Sequence, residues 1–153
     1  MEGLQFGEIS DVDFERLMSL YRELQPNDTV LSDDSDLTTF KTILASEYFF
    51  LMGLRREDTL IGSTYVNIVP NITRGASPYA VIENVIITSR LRNRGDGKFM
   101  MKQTLNFIWS KGCYKAMLQT GSKSESVHAF YRSCGFSGTA KFGYAAYPDE
   151  QVI

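Results

Sequence analysis

Cysteine is scarce in this chain, with two in 153 residues, and histidine is scarcer still, with one. Cys113 and Cys134 each stand beside a glycine in an apolar setting, and two cysteines do not make a disulfide framework. Reduced thiols and a cytoplasmic location are the default expectation. The chain has no run of roughly 18 apolar residues, which excludes a helical membrane span. The start, Met1-Glu2-Gly3-Leu4-Gln5, has neither a basic region nor a long apolar run, so no signal peptide is expected. Positive charge is not in excess either. A formal net charge of −2 and an isoelectric point near 5.4 argue against a general nucleic-acid binder. Repeats, low-complexity tracts and linkers are missing as well, so residues 1–153 read as one domain. Hydrophobic residues at 43% and charged residues at 22% suit a globular protein able to bury its own core.

What is present alternates between strand and helix periodicity. Leu4 to Ile9 reads as a short strand. Ser10 and Asp13, three positions apart, mark a helix start close to a capping box. Phe14, Leu17, Met18, Tyr21 and Leu24 then fall on one helical face, and Pro26-Asn27-Asp28 breaks the helix. The acidic segment from Ser32 to Asp36 suits a second helix N-terminus, where carboxylates complement the dipole. Leu37, Phe40, Ile43 and Leu44 would be its buried face. Tyr48–Leu54 and Leu60–Val69, joined by the polar turn Arg56-Glu57-Asp58-Thr59, read as an antiparallel pair. A loop from Pro70 to Pro78 leads into a strand from Tyr79 to Ile87. A helix follows from near Gly97, with Met101, Leu105 and Ile108 on one face and Gly112 as its stop. Tyr114–Thr120 reads as a strand, Ser124–Cys134 as a helix stopped by Gly135, and Phe136–Tyr147 as one or two final strands. The order β-α-α-β-β-β-α-β-α-β(-β) implies an α/β fold of the α+β kind, a mixed sheet with helices on its faces.

The segment Arg92-Asn93-Arg94-Gly95-Asp96-Gly97-Lys98 stands between an apolar strand and a helix. That arrangement presents unpaired backbone N–H groups to a phosphate. Two glycines spaced by one residue let the backbone approach an anion closely, and three cationic side chains flank them. The loop is not a dinucleotide fingerprint, because Met100 stands three positions after Gly97. It is not a P-loop either, since no Ser or Thr follows Lys98.

Arg92-x-x-Gly95-x-Gly97 after Ile82-Glu83-Asn84-Val85-Ile86-Ile87 resembles motif A of the GNAT superfamily of N-acetyltransferases. Ala129-Phe130-Tyr131-Arg132-Ser133-Cys134-Gly135-Phe136 is similar to the family's motif B. Within that family, Gly112-Cys113-Tyr114-Lys115 and the motif B segment look most like glucosamine 6-phosphate N-acetyltransferases. The resemblance runs from about Leu4 to Tyr147 and implies a GNAT-type fold that binds acetyl-CoA, with no metal. It implies that backbone amides from Asn93 to Lys98 hold the pyrophosphate, with Arg92, Arg94, Gly95, Asp96 and Gly97 in the same loop. The pantetheine arm would pair with Val85, Ile86 and Ile87 as an added strand would, where this strand splays from the next. Ser124 stands where many relatives place a cofactor-touching Asn; serine also hydrogen-bonds but reaches less far. Relatives more often carry an apolar residue at Asp96. A carboxylate beside a pyrophosphate is unfavourable, so Asp96 is expected to point outward to solvent.

Acetyl transfer to an amine needs a base, oxyanion stabilisation and an acid for the departing thiolate. Tyr131 is the candidate acid, because a phenol is protonated at neutral pH; a plain core role is the alternative. Glu83 is the candidate base, directly or through a water, as a carboxylate in an otherwise apolar strand. It could instead simply bond a neighbouring strand. Gln119 stands where some relatives carry a carboxylate, and glutamine cannot abstract a proton. The backbone N–H of Val85 or Ile86 would face the oxyanion. His128 reads as a solvated helix residue, and Cys134 as a small core residue, not a nucleophile. Tyr21, Arg22, Asn71, Arg74 and Tyr79 are candidates to line the acceptor pocket, with Arg74 able to meet a sugar phosphate. The expected partner is a small-molecule amine, with neither nucleic acid nor membrane. Many relatives are dimers, so a homodimer stays open. The alternatives are a protein lysine or N-terminal acetyltransferase and a non-catalytic acyl-CoA-binding module.

Overall fold

The computed structural model describes residues 3–91 and 94–148. These fall into two compact units that divide after Leu118.

The first unit is built on a five-stranded sheet in the order β1-β2-β3-β4-β5. Strands β1 (Leu4–Glu8), β2 (Phe49–Arg56), β3 (Thr59–Val69) and β4 (Tyr79–Ile87) pair antiparallel in sequence order. Strand β5 (Ala116–Leu118) joins β4 in parallel. The β2–β3 connection is a two-residue turn in which Glu57 (φ 48°) and Asp58 (φ 64°) are both left-handed. That geometry matches strand twist and suits a short polar hairpin.

Helix α1 (Phe14–Leu24) follows a 3-10 turn at Asp11–Asp13. The Asp13 carboxylate accepts from the Ser10 N–H at 2.8 Å and from the Ser10 hydroxyl at 3.1 Å, as the Ser10/Asp13 spacing predicted. Arg55 of β2 also donates to it, at 2.6 Å. Helix α2 (Ser35–Leu44) buries Phe40 and half-buries Leu37, Ile43 and Leu44. These residues pack with Leu17, Leu20, Leu51, Leu60 and Ile86 into one core cluster. Helix α4 (Asp96–Ser110) buries Met100, Met101, Thr104 and Ile108. Met100 packs with Leu54 and Ile61 of the hairpin in a second cluster. Gly112, at φ 76°, follows the helix as its left-handed stop. Between β3 and β4 lies a four-residue turn, α3 (Thr73–Ala76), in which Arg74, Gly75 and Ala76 all have positive φ.

Gly62 decides how closely the elements around the glycine loop approach one another. A Cβ there would clash with the Ile87 side chain, lie 2.8 Å from the Ile86 carbonyl oxygen and 3.1 Å from the Met100 sulfur. The end of β4 and the first turns of α4 therefore close on β3 because position 62 carries no side chain.

The second unit holds helix α5 (Glu125–Ser133), with Ser124 before it. Gly135 (φ 94°) stops the helix, and the Phe136 N–H returns to the Tyr131 carbonyl at 3.1 Å. The expected strands from Phe136 to Tyr147 do not form: no strand is present among the described residues 136–148. Phe142 and Tyr144 are exposed there, and a strand needs a paired edge as well as β-prone residues. The strand expected from Tyr114 to Thr120 is likewise reduced to Ala116–Leu118.

Candidate functional site

Strand β4 carries a bulge at its centre. Along β3 the register moves two residues, from Ser63 to Tyr65, while along β4 it moves three, from Ile86 to Glu83. The extra residue bends the strand locally, and Asn84 takes it up at φ 50°. On the other side, β5 ends at Leu118 opposite Ile82, so Glu83 to Ile86 run on past it.

Glu83 is exposed at that point. The expectation of a carboxylate forced into an apolar environment is therefore corrected. The bulge breaks the strict alternation that would have placed Glu83 on one face with Val81 and Val85.

The segment leaving β4 passes through a 3-10 turn, Ser89–Leu91, and reaches Gly95 at φ 87° and ψ −7°. An L side chain rarely adopts this backbone, which is the reason for a glycine here. Helix α4 starts at Asp96, and its first ladder bond runs from the Phe99 N–H to the Gly95 carbonyl, at 3.0 Å. The amides of Asp96, Gly97 and Lys98 precede that bond and have no acceptor within the helix. Arg94 and Lys98 are exposed beside them. Arg92 and Asn93, expected in the same grip, lie outside the described residues.

Asp96 does not point to solvent. It is 2% exposed, and the Arg56 guanidinium at the end of β2 donates to its two carboxylate oxygens at 2.9 and 3.1 Å. The outward orientation expected from repulsion by phosphate is corrected, because a cation reached from a neighbouring strand neutralises the carboxylate. At the other end of the segment, Glu23 of α1 accepts from the Thr88 hydroxyl at 2.9 Å and the Ser89 N–H at 2.8 Å. The Ser89 N–H, more than any other group, holds the Glu23 carboxyl below its ordinary value. The loop is thus fastened at both ends by carboxylates that accept hydrogen bonds. Arg56 and Glu23 have no local sequence signal, since their partners lie 40 and 65 residues away.

The acceptor candidates separate. Asn71 is occupied within its own loop, donating to the Thr73 and Ser77 carbonyls at 2.7 and 3.2 Å. Arg22 is exposed on α1. Tyr21 turns inward and packs with the core cluster. Arg74 and Tyr79 do come together, through two residues that were not named as acceptor contacts. The Arg74 guanidinium lies 5.9 Å from the Tyr114 ring centroid, and Tyr79 and Tyr114 meet edge to face at 6.4 Å. The Lys115 ammonium lies 4.9 Å from the Tyr79 ring and 5.4 Å from the Tyr114 ring. Neither cation has a carboxylate within salt-bridge distance among the described residues.

In the second unit, Tyr131 is half-buried on α5, with ring centroids of Phe130 and Phe136 at 5.2 and 6.1 Å. Ser124 is exposed and shares a hydrogen bond with Ser126 at 2.8 Å. Both cysteines are free, and burial pushes the Cys113 thiol up. Among the described residues no group of three or more His, Cys, Asp or Glu is placed to hold a metal ion. No helix there is long and apolar enough to cross a membrane. A hollow of roughly 210 Å³ between β1, β2 and α2, lined by Glu8, Asp11, Leu44 and Phe49, contains none of the expected site residues.

A strand paired in parallel with a short neighbour and followed by a glycine turn into a helix is the geometry the sequence resemblance implied; the bulge at Asn84 is an addition to it. The profile of the Acetyltransferase (GNAT) family matches residues 14–136. The chain belongs to this family. A curated relative, glucosamine 6-phosphate N-acetyltransferase of Trypanosoma brucei brucei, is 35% identical over 77 residues, which is 50% of each chain. The match thus spans about half the length of that relative. A solved structure assigned as an acetyltransferase, from Agrobacterium tumefaciens str. C58, superposes with a TM-score of 0.88 at 33% identity, covering 94% of this chain and 99% of that one. Glucosamine-6-phosphate N-acetyltransferase from Arabidopsis thaliana shares the fold, with a TM-score of 0.78 at 22% identity over 97% of this chain and 100% of that one.

Proposed function

We propose that this GNAT family member transfers an acetyl group from acetyl-CoA directly to the primary amine of a small molecule, with an amino sugar phosphate as the favoured acceptor. The observation that carries the donor assignment is the glycine turn at Gly95, fastened by Glu23 and Arg56 and opening onto the first amides of α4, which have no acceptor within the helix. Such a helix start favours a phosphate anion through both its N–H groups and its dipole.

Acetyl-CoA, when bound, supplies an activated thioester carbonyl. Val85 and Ile86 would orient backbone N–H groups toward the carbonyl oxygen. Glu83, exposed at the bulge, would take the proton the amine must lose as its nitrogen bonds to the acetyl carbon. Tyr131 would hold the proton delivered to sulfur as the carbon–sulfur bond breaks. Ser124 is assigned a lesser cofactor contact through its hydroxyl. Reduced cysteines fit a cytoplasmic enzyme.

The acceptor assignment rests on Arg74 and Lys115 over Tyr79 and Tyr114. Two cations without a carboxylate partner among the described residues suit an anionic group, and a tyrosine face suits the apolar side of a sugar ring. The similarity to a glucosamine 6-phosphate N-acetyltransferase supports the same class.

The test incubates the protein with acetyl-CoA and an amine panel containing glucosamine 6-phosphate, glucosamine, polyamines, aminoglycosides and lysine peptides, and follows free thiol. Turnover of glucosamine 6-phosphate well above glucosamine is expected, with the preference lost in an R74A/K115A variant. Turnover only of peptides would replace the acceptor assignment. Acetyl-CoA binding without turnover of any amine would leave a binding module.

A further inference from the structure

Glu83 and the cations near Tyr79 share one face of the sheet. Tyr65 pairs in register with Glu83, Asn67 with Val81, and Val69 with Tyr79. Directly paired residues project to the same side, and so do residues two apart along a strand. The bulge at Asn84 comes after Glu83, so it is Val85 that changes sides, packing with Leu54 and Met100. Lys115 extends the row toward β5, its ammonium 4.9 Å from the Tyr79 ring.

The residues of these pairs are all half-buried or exposed, whereas Val66, Ile68, Ala80 and Ile82, which alternate with them, are at most 7% exposed. Thr64 is on the buried side and bonds Thr104 of α4 at 3.0 Å, so that side faces α4. The opposite side is the one α1 and α2 cover. Their core cluster reaches Tyr65 but, among the described residues, takes in none of Asn67, Val69, Tyr79, Val81 or Glu83. A strip of sheet is left beyond the helices, with Val81 at its middle. Beside it, the Asn67 amide nitrogen donates to the Val81 carbonyl at 3.3 Å.

The strip has opposite charges at its ends. Glu83 is exposed at one. At the other, Arg74 and Lys115 have no carboxylate within salt-bridge distance among the described residues. A ligand complementary to both ends carries an ammonium and an anion. The rise of a strand puts Glu83 about 13 Å from Tyr79 along β4. Hydrogen bonds of about 3 Å at each end then bracket the ligand's amine-to-anion distance between roughly 7 and 13 Å.

We propose that this strip measures the acceptor: Val81 and Asn67 form its floor as specificity-determining residues, and it selects a primary amine that carries an anionic group roughly 7 to 13 Å from the nitrogen. Its catalytic consequence rests on the acetyltransferase reading, with Glu83 as base; the binding of such a zwitterion does not. An amine without the anion, or with the anion too close, meets one end only.

The test compares glucosamine 6-phosphate with glucosamine 1-phosphate, which have the same composition and charge. Phosphorus stands up to about 8 Å from nitrogen in the first and at most about 5 Å in the second, too short to span the strip. The 6-phosphate should be favoured in kcat/KM by at least about tenfold, and 4-aminobutyl phosphate should likewise exceed 2-aminoethyl phosphate. V81W fills the middle of the strip and should raise KM for glucosamine 6-phosphate by about tenfold, with KM for acetyl-CoA within about twofold. R74E/K115E should invert the preference, from aminoalkyl phosphates to diamines. In the wild type without acetyl-CoA, the 6-phosphate should shift the amide resonances of Asn67 and Val81, and the 1-phosphate should not. Equal kcat/KM for the two sugar phosphates overturns the proposal, as does a V81W enzyme with wild-type KM for the 6-phosphate. If the wild type turns over no amine, the enzyme reading has failed. The amide resonances then decide for the strip alone: movement with the 6-phosphate only keeps it, and no movement removes it.

Discussion

The Nη2 of Arg56 lies 2.9 and 3.1 Å from the two carboxylate oxygens of Asp96, a residue that stands between the two glycines at the start of α4. A carboxylate in that place would repel a pyrophosphate if it were free. Paired and buried, it ties the start of α4 to the end of β2. Arg56→Met should therefore lower acetyl-CoA affinity by about tenfold and reduce stability by roughly 1–3 kcal/mol, because an unpaired carboxylate is left inside. Adding Asp96→Asn should recover most of both losses. Calorimetric titration of the single and double variants checks this, and a double variant as weak as the single would show that charge pairing is not the reason.

Glu23 gives the other end of the loop a pH dependence. Its folded value is lowered from 4.5, chiefly by the Ser89 N–H. A depressed carboxylate contributes stability that is present above its unfolded value and lost as pH falls through the folded value. Asp13 acts in the same sense: burial opposes its ionisation, but the Arg55 guanidinium and the Ser10 groups outweigh burial and lower it from 3.8. Stability should thus decline below about pH 4.5. Melting temperatures from pH 7 to 3 should fall less steeply for Glu23→Gln than for the wild type.

Gly62→Ala should loosen the same region from beneath. The added Cβ meets the Ile86 carbonyl, and backbone cannot yield as a flexible side chain does. Overpacking of this kind costs about 1–3 kcal/mol. Gly7→Ala on β1 is the control, since a Cβ there meets nothing within 4 Å. Thermal unfolding of the two variants should differ clearly, and equal behaviour would remove the close-approach explanation.

Tyr131→Phe preserves the ring contacts with Phe130 and Phe136 while removing the proton donor. For a general acid, kcat should drop by about a hundredfold with KM for acetyl-CoA nearly unchanged. A thioester with a more acidic leaving group should restore part of the rate. An unaltered pH–kcat profile would return Tyr131 to a packing role.

The readable and unreadable parts of this site divide by range. The strand Tyr79–Ile87, the glycine turn and the helix after it are local patterns of apolar spacing and turn residues, and they formed where the spacing predicted. Glu83 and Asp96 were read correctly as unusual and wrongly as to orientation. The bulge at Asn84 exposes the first, and Arg56, 40 residues away, buries the second. Phe136–Tyr147 shows the converse case, where a strand-like composition formed no strand among the described residues.

Taken alone, the sequence determined the element order as far as α5, the mixed sheet, the family and the glycine turn into α4. These depend on periodicity, glycine and motif spacing, all of which act over a few residues. Only the tertiary structure decided which way Asp96 turns, what fastens Thr88 and Ser89, and where β4 bulges to expose Glu83. Each of those depends on a donor meeting an acceptor from another element, and that meeting is set by sheet register and helix packing.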